Sequence, residues 1–134
     1  MDKNRALERI RFVLDAYEEI DLAYVFGSFL ERDDFRDIDV AICLCEERSA
    51  YEGFKLAQRV ARDLEKGLEP RVNFDVRILN SAPVYFQYEV ISKGIAVMER
   101  DRELRVEYEA HLISEYLDLK YMYDRLDQAF LARA

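Results

Sequence analysis

The apolar and polar positions of this chain follow two periods, and together they predict a mixed α/β domain. Four segments repeat apolar residues at helical spacing, and four shorter segments are apolar runs typical of strands. The predicted helices cover residues 3–19, 50–66, 83–93 and 102–131, and the predicted strands cover residues 22–26, 37–44, 72–79 and 95–99. The order α-β-β-α-β-α-β-α predicts an α/β (or α+β) fold in which helices flank a small mixed sheet.

Signals at the helix ends support two of these helices. Ser49 and Glu52 form a capping box that starts a helix at residue 50, and Gly67 suits the end of that helix. Pro83 fits the first turn of the next helix, because proline has no backbone N–H to lose there.

The last predicted helix, over residues 102–131, is longer than a domain of this size requires. Thirty residues of helix span about 45 Å. Its apolar stripe contains Tyr108, Tyr116 and Tyr123. One interpretation is a helix that folds back on the sheet, broken midway. The other is an interface with a partner or with a second copy, because aromatic residues are enriched at interfaces.

Length and composition indicate a single globular domain. The 134 residues fit one domain over 1–134, with a core over about 1–100 and a C-terminal helical segment over about 102–131. Apolar residues make up 51% and charged residues 36%. No apolar run is long enough for a membrane span, and the charged N-terminus is unlike a secretory signal. The expected location is therefore the cytoplasm, with no membrane contact.

Net charge narrows the range of binding partners. The chain carries a formal charge of −8, from 20 basic and 28 acidic residues. An acidic chain repels a nucleic-acid backbone, whose binding depends on Lys and Arg displacing counterions. Polymerisation on a nucleic-acid template is therefore not expected, whereas a single nucleoside triphosphate brought in with magnesium is compatible.

Two cysteines, Cys43 and Cys45, stand two apart on one predicted strand. In an extended strand their Cα atoms are near the upper separation limit for a disulfide. We expect them to act as small buried hydrophobic residues in a reducing compartment.

Three aspartates give the sequence its clearest chemistry. Asp37 and Asp39 alternate with apolar residues on one predicted strand, and Asp75 lies in a later predicted strand. Strand side chains have a period of two, so Asp37 and Asp39 share one face. If the two strands are neighbours, all three carboxylates converge. Carboxylates that close repel one another, and a hard divalent cation with oxygen ligands relieves the repulsion.

The order of these residues carries a family resemblance. Gly27-Ser28 closes the first strand, Asp37-x-Asp39 follows, and Asp75 comes on a later strand. This pattern resembles the nucleotidyltransferase fold of the DNA polymerase beta superfamily. The short chain is most similar to minimal nucleotidyltransferases (MNT), the partners of HEPN-domain proteins in toxin–antitoxin pairs. The resemblance covers about the first hundred residues.

The resemblance implies a magnesium-dependent transfer reaction. Gly27 and Ser28 would contact the nucleoside triphosphate, and Asp37, Asp39 and Asp75 would hold Mg2+, with two ions expected. Asp75 would bind the second ion or accept the proton of the attacking hydroxyl. The chain would then transfer a nucleoside monophosphate, AMP from ATP, to a tyrosine hydroxyl of a HEPN toxin and act as its antitoxin.

Two other functions remain open at this point. One is modification of a small molecule, as in aminoglycoside nucleotidyltransferases, although those carry an additional acceptor-binding domain. The other is an antitoxin that neutralises its toxin by contact alone. The acceptor, the preferred nucleotide and the oligomeric state are not readable from the residues.

Several residues near the predicted site have a structural and a functional interpretation. Arg32 and Arg36 lie in the loop over 29–36, where they reach phosphate oxygens or, as we favour, pair with neighbouring acidic residues. Arg77 shares the face of Asp75 and either pairs with a carboxylate or touches substrate. Tyr24, on the first strand, is expected to be core rather than a base-stacking residue.

Overall fold

Residues 2–133, which the computed structural model describes, form a four-stranded mixed sheet with helices on both faces. The strands are β1 (Ile20–Phe26), β2 (Asp37–Leu44), β3 (Asn73–Ile78) and β4 (Ile95–Glu99). The helices are α1 (Lys3–Asp15), α2 (Ser28–Glu31), α3 (Ala50–Lys66), α4 (Val84–Lys93) and α5 (Arg102–Ala132). The predicted α/β class is confirmed.

The sheet order is β3-β2-β1-β4, so β3 and β4 are the edge strands. β1 runs antiparallel to both β2 and β4, whereas β2 and β3 are parallel and are joined through α3. A parallel pair needs a crossover connection, which is the role of α3 here. The arrangement puts the end of β1 and the starts of β2 and β3 at one end of the sheet.

Different helices cover the two faces of the sheet. On one face, α1 and α3 pack against the apolar side chains of the central strands. That core includes Ile10 and Leu14 from α1, Val60 and Leu64 from α3, and Val40 from β2. On the other face, α4 and the first half of α5 cover a second cluster of apolar residues. Its buried members are Leu22, Tyr24, Ala41, Leu79 and Val90.

Polar contacts fix α4 and α5 on this second face. Tyr24 is buried, as predicted, and its hydroxyl donates to Glu109 of α5 at 2.6 Å. The hydroxyl of Tyr108 donates to the side-chain oxygen of Gln87 in α4 at 2.7 Å. Buried hydroxyl groups need such partners, and both bonds tie α5 to the layer beneath it.

The end of the first helix was predicted wrongly. The apolar spacing predicted a helix over 3–19, but α1 ends at Asp15, and β1 starts at Ile20 rather than at residue 22. Tyr17 fits the helical spacing of apolar residues, but it packs against the core from a turn that follows the helix. Ile20 is fully buried and already belongs to the sheet.

The segment predicted as a loop over 29–36 begins with a one-turn helix. Residues Ser28–Glu31 form α2, anchored by Phe29, which is fully buried and packs edge-on against Phe35 at 4.9 Å between ring centroids. Lys3 lies over both rings and donates to the backbone carbonyl of Arg32 at 2.8 Å. Tertiary contacts with Phe29 therefore create a helix too short to leave a periodic pattern.

The long C-terminal helix is continuous, so the predicted break is absent. Tyr108 and Leu112 of α5 pack against the domain, and Tyr116 stacks on Tyr88 of α4 at 3.7 Å between ring centroids. From Lys120 onward every described residue of α5 is exposed. Only the first half of the helix folds back on the sheet.

No helix within residues 2–133 combines the length and the apolar content that crossing a membrane requires.

The two cysteines have different surroundings. Cys43 is half-buried and Cys45 is exposed, just after the end of β2, and both are free thiols. The prediction of a buried residue is therefore wrong for Cys45. Burial raises the pKa of the Cys43 thiol to about 12, which keeps it protonated and poorly reactive near neutral pH.

Candidate active site

The register between β2 and β3 brings the predicted aspartates onto one face of the sheet. Asp39 lies directly opposite Asp75, and Asp37 lies opposite Asn73. Neighbouring strands are about 4.8 Å apart, so Asp39 and Asp75 are adjacent across the sheet. Further along the strands, α4 and α5 cover this same face. The two strands are neighbours, which was the condition for the carboxylates to converge.

The carboxylates lie at the uncovered end of this face. Asp37 is exposed, and Asp39 and Asp75 are half-buried. Burial raises the pKa of the Asp39 carboxyl above its ordinary value, and the carboxylates of Asp75 and Asp37 raise that pKa further, while Arg77 opposes them. Asp39 therefore lies within the electrostatic range of both other aspartates, as a shared cation site requires.

The Gly27-Ser28 turn packs directly against Asp39. Phe26, the last residue of β1, is the register partner of Asp39, and the chain turns immediately after it. Gly27 has φ of 82° and ψ of −159°, a conformation that residues with a Cβ essentially do not adopt. A Cβ at Gly27 would overlap the carboxylate of Asp39. The glycine is thus required both by the turn and by the close approach, and Ser28 follows it as the first residue of α2.

The guanidinium of Arg77 places a positive charge beside Asp75. Its Nε lies 3.4 Å from Oδ2 of Asp75, so the structure supports the carboxylate-pairing interpretation. Its guanidinium also lies 5.4 Å from the ring centroid of Phe86 in α4, and Phe86 packs edge-on against Phe26. Sequence reasoning missed Phe86 because its apolar position in a helix gave no sign of which strand residues it would meet.

The arginines in the α2–β2 connection differ from each other. Arg32 makes a two-pronged ion pair with Asp34, with both N–O distances 2.8 Å, as the pairing interpretation expected. Within residues 2–133, Arg36 makes no ion pair, so the pairing prediction is wrong for it. Arg36 instead lines a surface depression beside Asn73.

The residues present fit magnesium in donor type and in strand position. Carboxylate oxygens are the ligands that Mg2+ prefers, and Asp39 and Asp75 are cross-strand neighbours. Among residues 2–133, no three acidic, His or Cys side chains stand close enough in their present rotamers to surround one ion. In this arrangement Asp75 pairs with Arg77.

Known proteins provide an independent comparison. Residues 8–103 match the model of the polymerase beta nucleotidyltransferase family. No protein with a curated description matches the sequence.

The fold is similar to that of several solved chains. One comes from a tri-AMPylated Shewanella oneidensis HEPN toxin in complex with MNT antitoxin, with a TM-score of 0.70, 20% identity, and coverage of 96% of this chain and 98% of that chain. Another, from the toxin–antitoxin MntA–HepT, has a TM-score of 0.69 and 20% identity over 96% and 98% of the two chains. A third, from a toxin–antitoxin structure with AMP-PNP, has a TM-score of 0.69 and 21% identity over 98% and 99%.

At these identities the likeness to solved chains is one of fold. The family model, in contrast, matches most of the chain and includes the turn and all three aspartates. The predicted nucleotidyltransferase fold is confirmed, and the chain belongs to the polymerase beta nucleotidyltransferase family.

Proposed function

We propose that this chain transfers AMP from ATP to a hydroxyl group of a HEPN-domain toxin and thereby acts as its antitoxin. The observation that carries the proposal is that Asp37, Asp39 and Asp75 share one sheet face, with Asp39 opposite Asp75 and a Gly-Ser turn packed against Asp39. The similarity in fold to a chain solved with a tri-AMPylated HEPN toxin supports the choice of reaction and acceptor.

Each residue of the candidate site would have its own role in phosphoryl transfer. Asp37, Asp39 and Asp75 would hold magnesium, which supplies charge neutralisation at the triphosphate and the departing pyrophosphate. Ser28 donates a hydrogen bond to a terminal phosphate oxygen, and Gly27 lets the backbone come close to it. Arg77, beside Asp75, adds positive charge where the α-phosphate would lie.

The reaction is a single displacement. The acceptor oxygen bonds to the α-phosphorus, and the bond from that phosphorus to the oxygen bridging the α- and β-phosphates breaks. Pyrophosphate leaves with that electron pair, and the hydroxyl proton passes to Asp75 or to water held there. Catalysis in such reactions is mostly positioning and charge stabilisation, which this arrangement of side chains provides.

The reaction can be tested by the release of pyrophosphate. We expect release only when the chain, its HEPN-domain partner, ATP and magnesium are all present. Release that is equally fast without the partner would argue for another acceptor, such as a small molecule.

The second half of α5 is the surface we assign to partner docking. Tyr123, Leu126 and Phe130, spaced three and four residues apart, continue on the same helix face the stripe that Tyr108 and Leu112 begin. The first part of this stripe packs on the domain, but Phe130 is 74% exposed. A docked partner explains why an apolar stripe continues past the domain. Tyr116 is excluded from this surface because it stacks on Tyr88.

A charge on this stripe should weaken the partner complex selectively. We expect Leu126→Asp to reduce affinity for the HEPN-domain protein at least about tenfold, because a carboxylate would be buried in an apolar contact. ATP affinity and thermal stability should be unchanged, since Leu126 is exposed and remote from the site. Gln128→Asp adds the same charge on the opposite face of α5, which makes it the matched control. Equal loss in both variants would place the docking surface elsewhere.

A further inference from the structure

One edge of the sheet is open next to the aspartates. β3 is an edge strand, and its parallel pairing with β2 turns the N–H groups of alternate residues inward. Leu79, which follows β3, donates inward to the carbonyl of Ile42 at 2.8 Å, and Phe74 donates outward to the Glu65 carboxylate at 3.3 Å. By this alternation, Val76 and Ile78 also point outward. No hydrogen-bond acceptor meets their N–H groups anywhere in residues 2–133.

A groove runs along this open edge. Two cavities of about 540 and 420 Å³ adjoin there and share Phe54 and Ala57 of α3 and Val76 of β3. On the α3 side the groove is bordered by the short side chains of Ala57 and Ala61. Phe54, on the same side, is 60% exposed. An open strand edge beside a groove is the arrangement that accepts an added strand: backbone hydrogen bonds give affinity and alternate side chains fill the groove.

The β3 edge gives an acceptor open access to Asp75 from the side of the sheet. On the other side of β2 the sheet continues through β1 and β4, and Phe26 packs against Phe86 over that side. Beyond Asp75, in contrast, β3 has no further strand. An acceptor segment that lies along the β3 edge would therefore be next to Asp75.

We propose that an extended segment of the protein acceptor adds to β3 as a fifth strand and thereby places its hydroxyl residue beside Asp75. The inference rests on the proposed function and specifies how that function selects its acceptor. Residues directly opposite on neighbouring strands share a face, so the residue opposite Asp75 lies on the carboxylate face. Its two chain neighbours face the groove along α3. The acceptor segment thus carries a tyrosine (or another hydroxyl residue) opposite Asp75, and its chain neighbours meet a groove lined by Phe54 and Ala57 together with Arg62 and Glu65.

The chemistry is that of the proposed transfer. The hydroxyl oxygen of the added strand bonds to the α-phosphorus of ATP, pyrophosphate leaves, and the proton goes to Asp75 or to water beside it. Strand addition positions the acceptor hydroxyl, because the pairing register fixes which acceptor residue lies opposite Asp75.

A proline on the edge tests the backbone contact. Val76→Pro removes an outward N–H that β2 does not use, and proline is tolerated at such edge positions. We expect the KM for the protein acceptor to rise about tenfold or more, with ATP affinity unchanged. Val76→Ala shortens the same side chain but keeps the N–H, so the difference between the two variants reports the backbone donor. Equal transfer by Val76→Pro and Val76→Ala would overturn the proposal.

Hydrogen exchange on the unaltered chain provides a test that needs no variant. In the complex with the HEPN-domain protein, amide exchange at Val76 and Ile78 should slow at least about tenfold, whereas Asp75 and Arg77, already paired with β2, should change little. Unchanged exchange at Val76 and Ile78 in a complex that transfers AMP overturns strand addition but leaves the proposed function intact. Absence of transfer by the unaltered chain would instead reject the function and this inference together.

The same measurement distinguishes a second copy of this chain as the occupant. Protection of Val76 and Ile78 that appears without the partner, and that increases with protein concentration, would assign the edge to self-association. That result would also overturn the proposal.

Discussion

The chain with both Asp37→Ala and Asp39→Ala is expected to lose AMP transfer by about a thousandfold or more. Removal of the two β2 carboxylates would remove the proposed ligands of magnesium on the triphosphate, and such an ion is worth several kcal/mol of charge stabilisation. Binding of ATP with magnesium should also disappear in calorimetry. The fold should remain, because Asp37 is exposed and Asp39 is only half-buried.

The matched control is the double variant Asp33→Ala/Asp34→Ala. It removes the same charge a few residues away, where Asp33 and Asp34 are exposed and make only surface ion pairs. We expect its transfer rate to stay within a few-fold of the unaltered chain. Equal ATP binding by the Asp37/Asp39 double variant would contradict the metal-site assignment.

Asp75 has a separate role in this account. If it accepts the proton or binds a second ion, Asp75→Asn should stop transfer while much of the ATP affinity remains. Turnover and calorimetry on the same variant measure both. Loss of ATP binding in proportion to the loss of turnover would place Asp75 among the ligands of the first ion.

Gly27→Ala is the second change with a large expected effect. A Cβ at this position meets the Asp39 carboxylate, and the backbone at φ of 82° has to move as well. The strained conformation alone costs about 1–3 kcal/mol. We expect transfer to fall about a hundredfold, because Asp39 and Ser28 are both displaced, with a smaller loss of thermal stability.

Gly67→Ala is the control for this substitution. Gly67 ends α3 with φ of −93°, which any residue adopts, and its Cβ would meet only the flexible guanidinium of Arg9. Its transfer rate should match that of the unaltered chain. Normal activity in Gly27→Ala would show that the turn does not position the site.

The fold was predictable where local signals were strong. The capping pair Ser49 and Glu52 gave the start of α3, and the alternation around Asp37 and Asp39 gave β2 with its observed bounds. The C-terminal end of α1 and the presence of α2 were missed. Tyr17 and Phe29 are held by tertiary contacts that leave no periodic signal in the sequence.

The strands that carry the candidate site residues were predictable, but the geometry of the candidate site was not. A period of two placed Asp37 and Asp39 on one face, but the register that sets Asp75 opposite Asp39 depends on how β3 pairs with β2. The contacts of Arg77 with Asp75 and Phe86 depend on the packing of α4 on the sheet. The open edge of β3 likewise follows from the strand order, which no single segment specifies.

The mass of the HEPN-domain partner, measured after incubation with this chain, ATP and magnesium, shows directly whether AMP is transferred to it. We expect additions of about 329 Da, one for each AMP unit, located on a hydroxyl residue by fragmentation. The additions should be absent with the Asp37/Asp39 double variant and present with the Asp33/Asp34 control. A stable complex in which the partner never changes mass would contradict the account and favour neutralisation by contact alone.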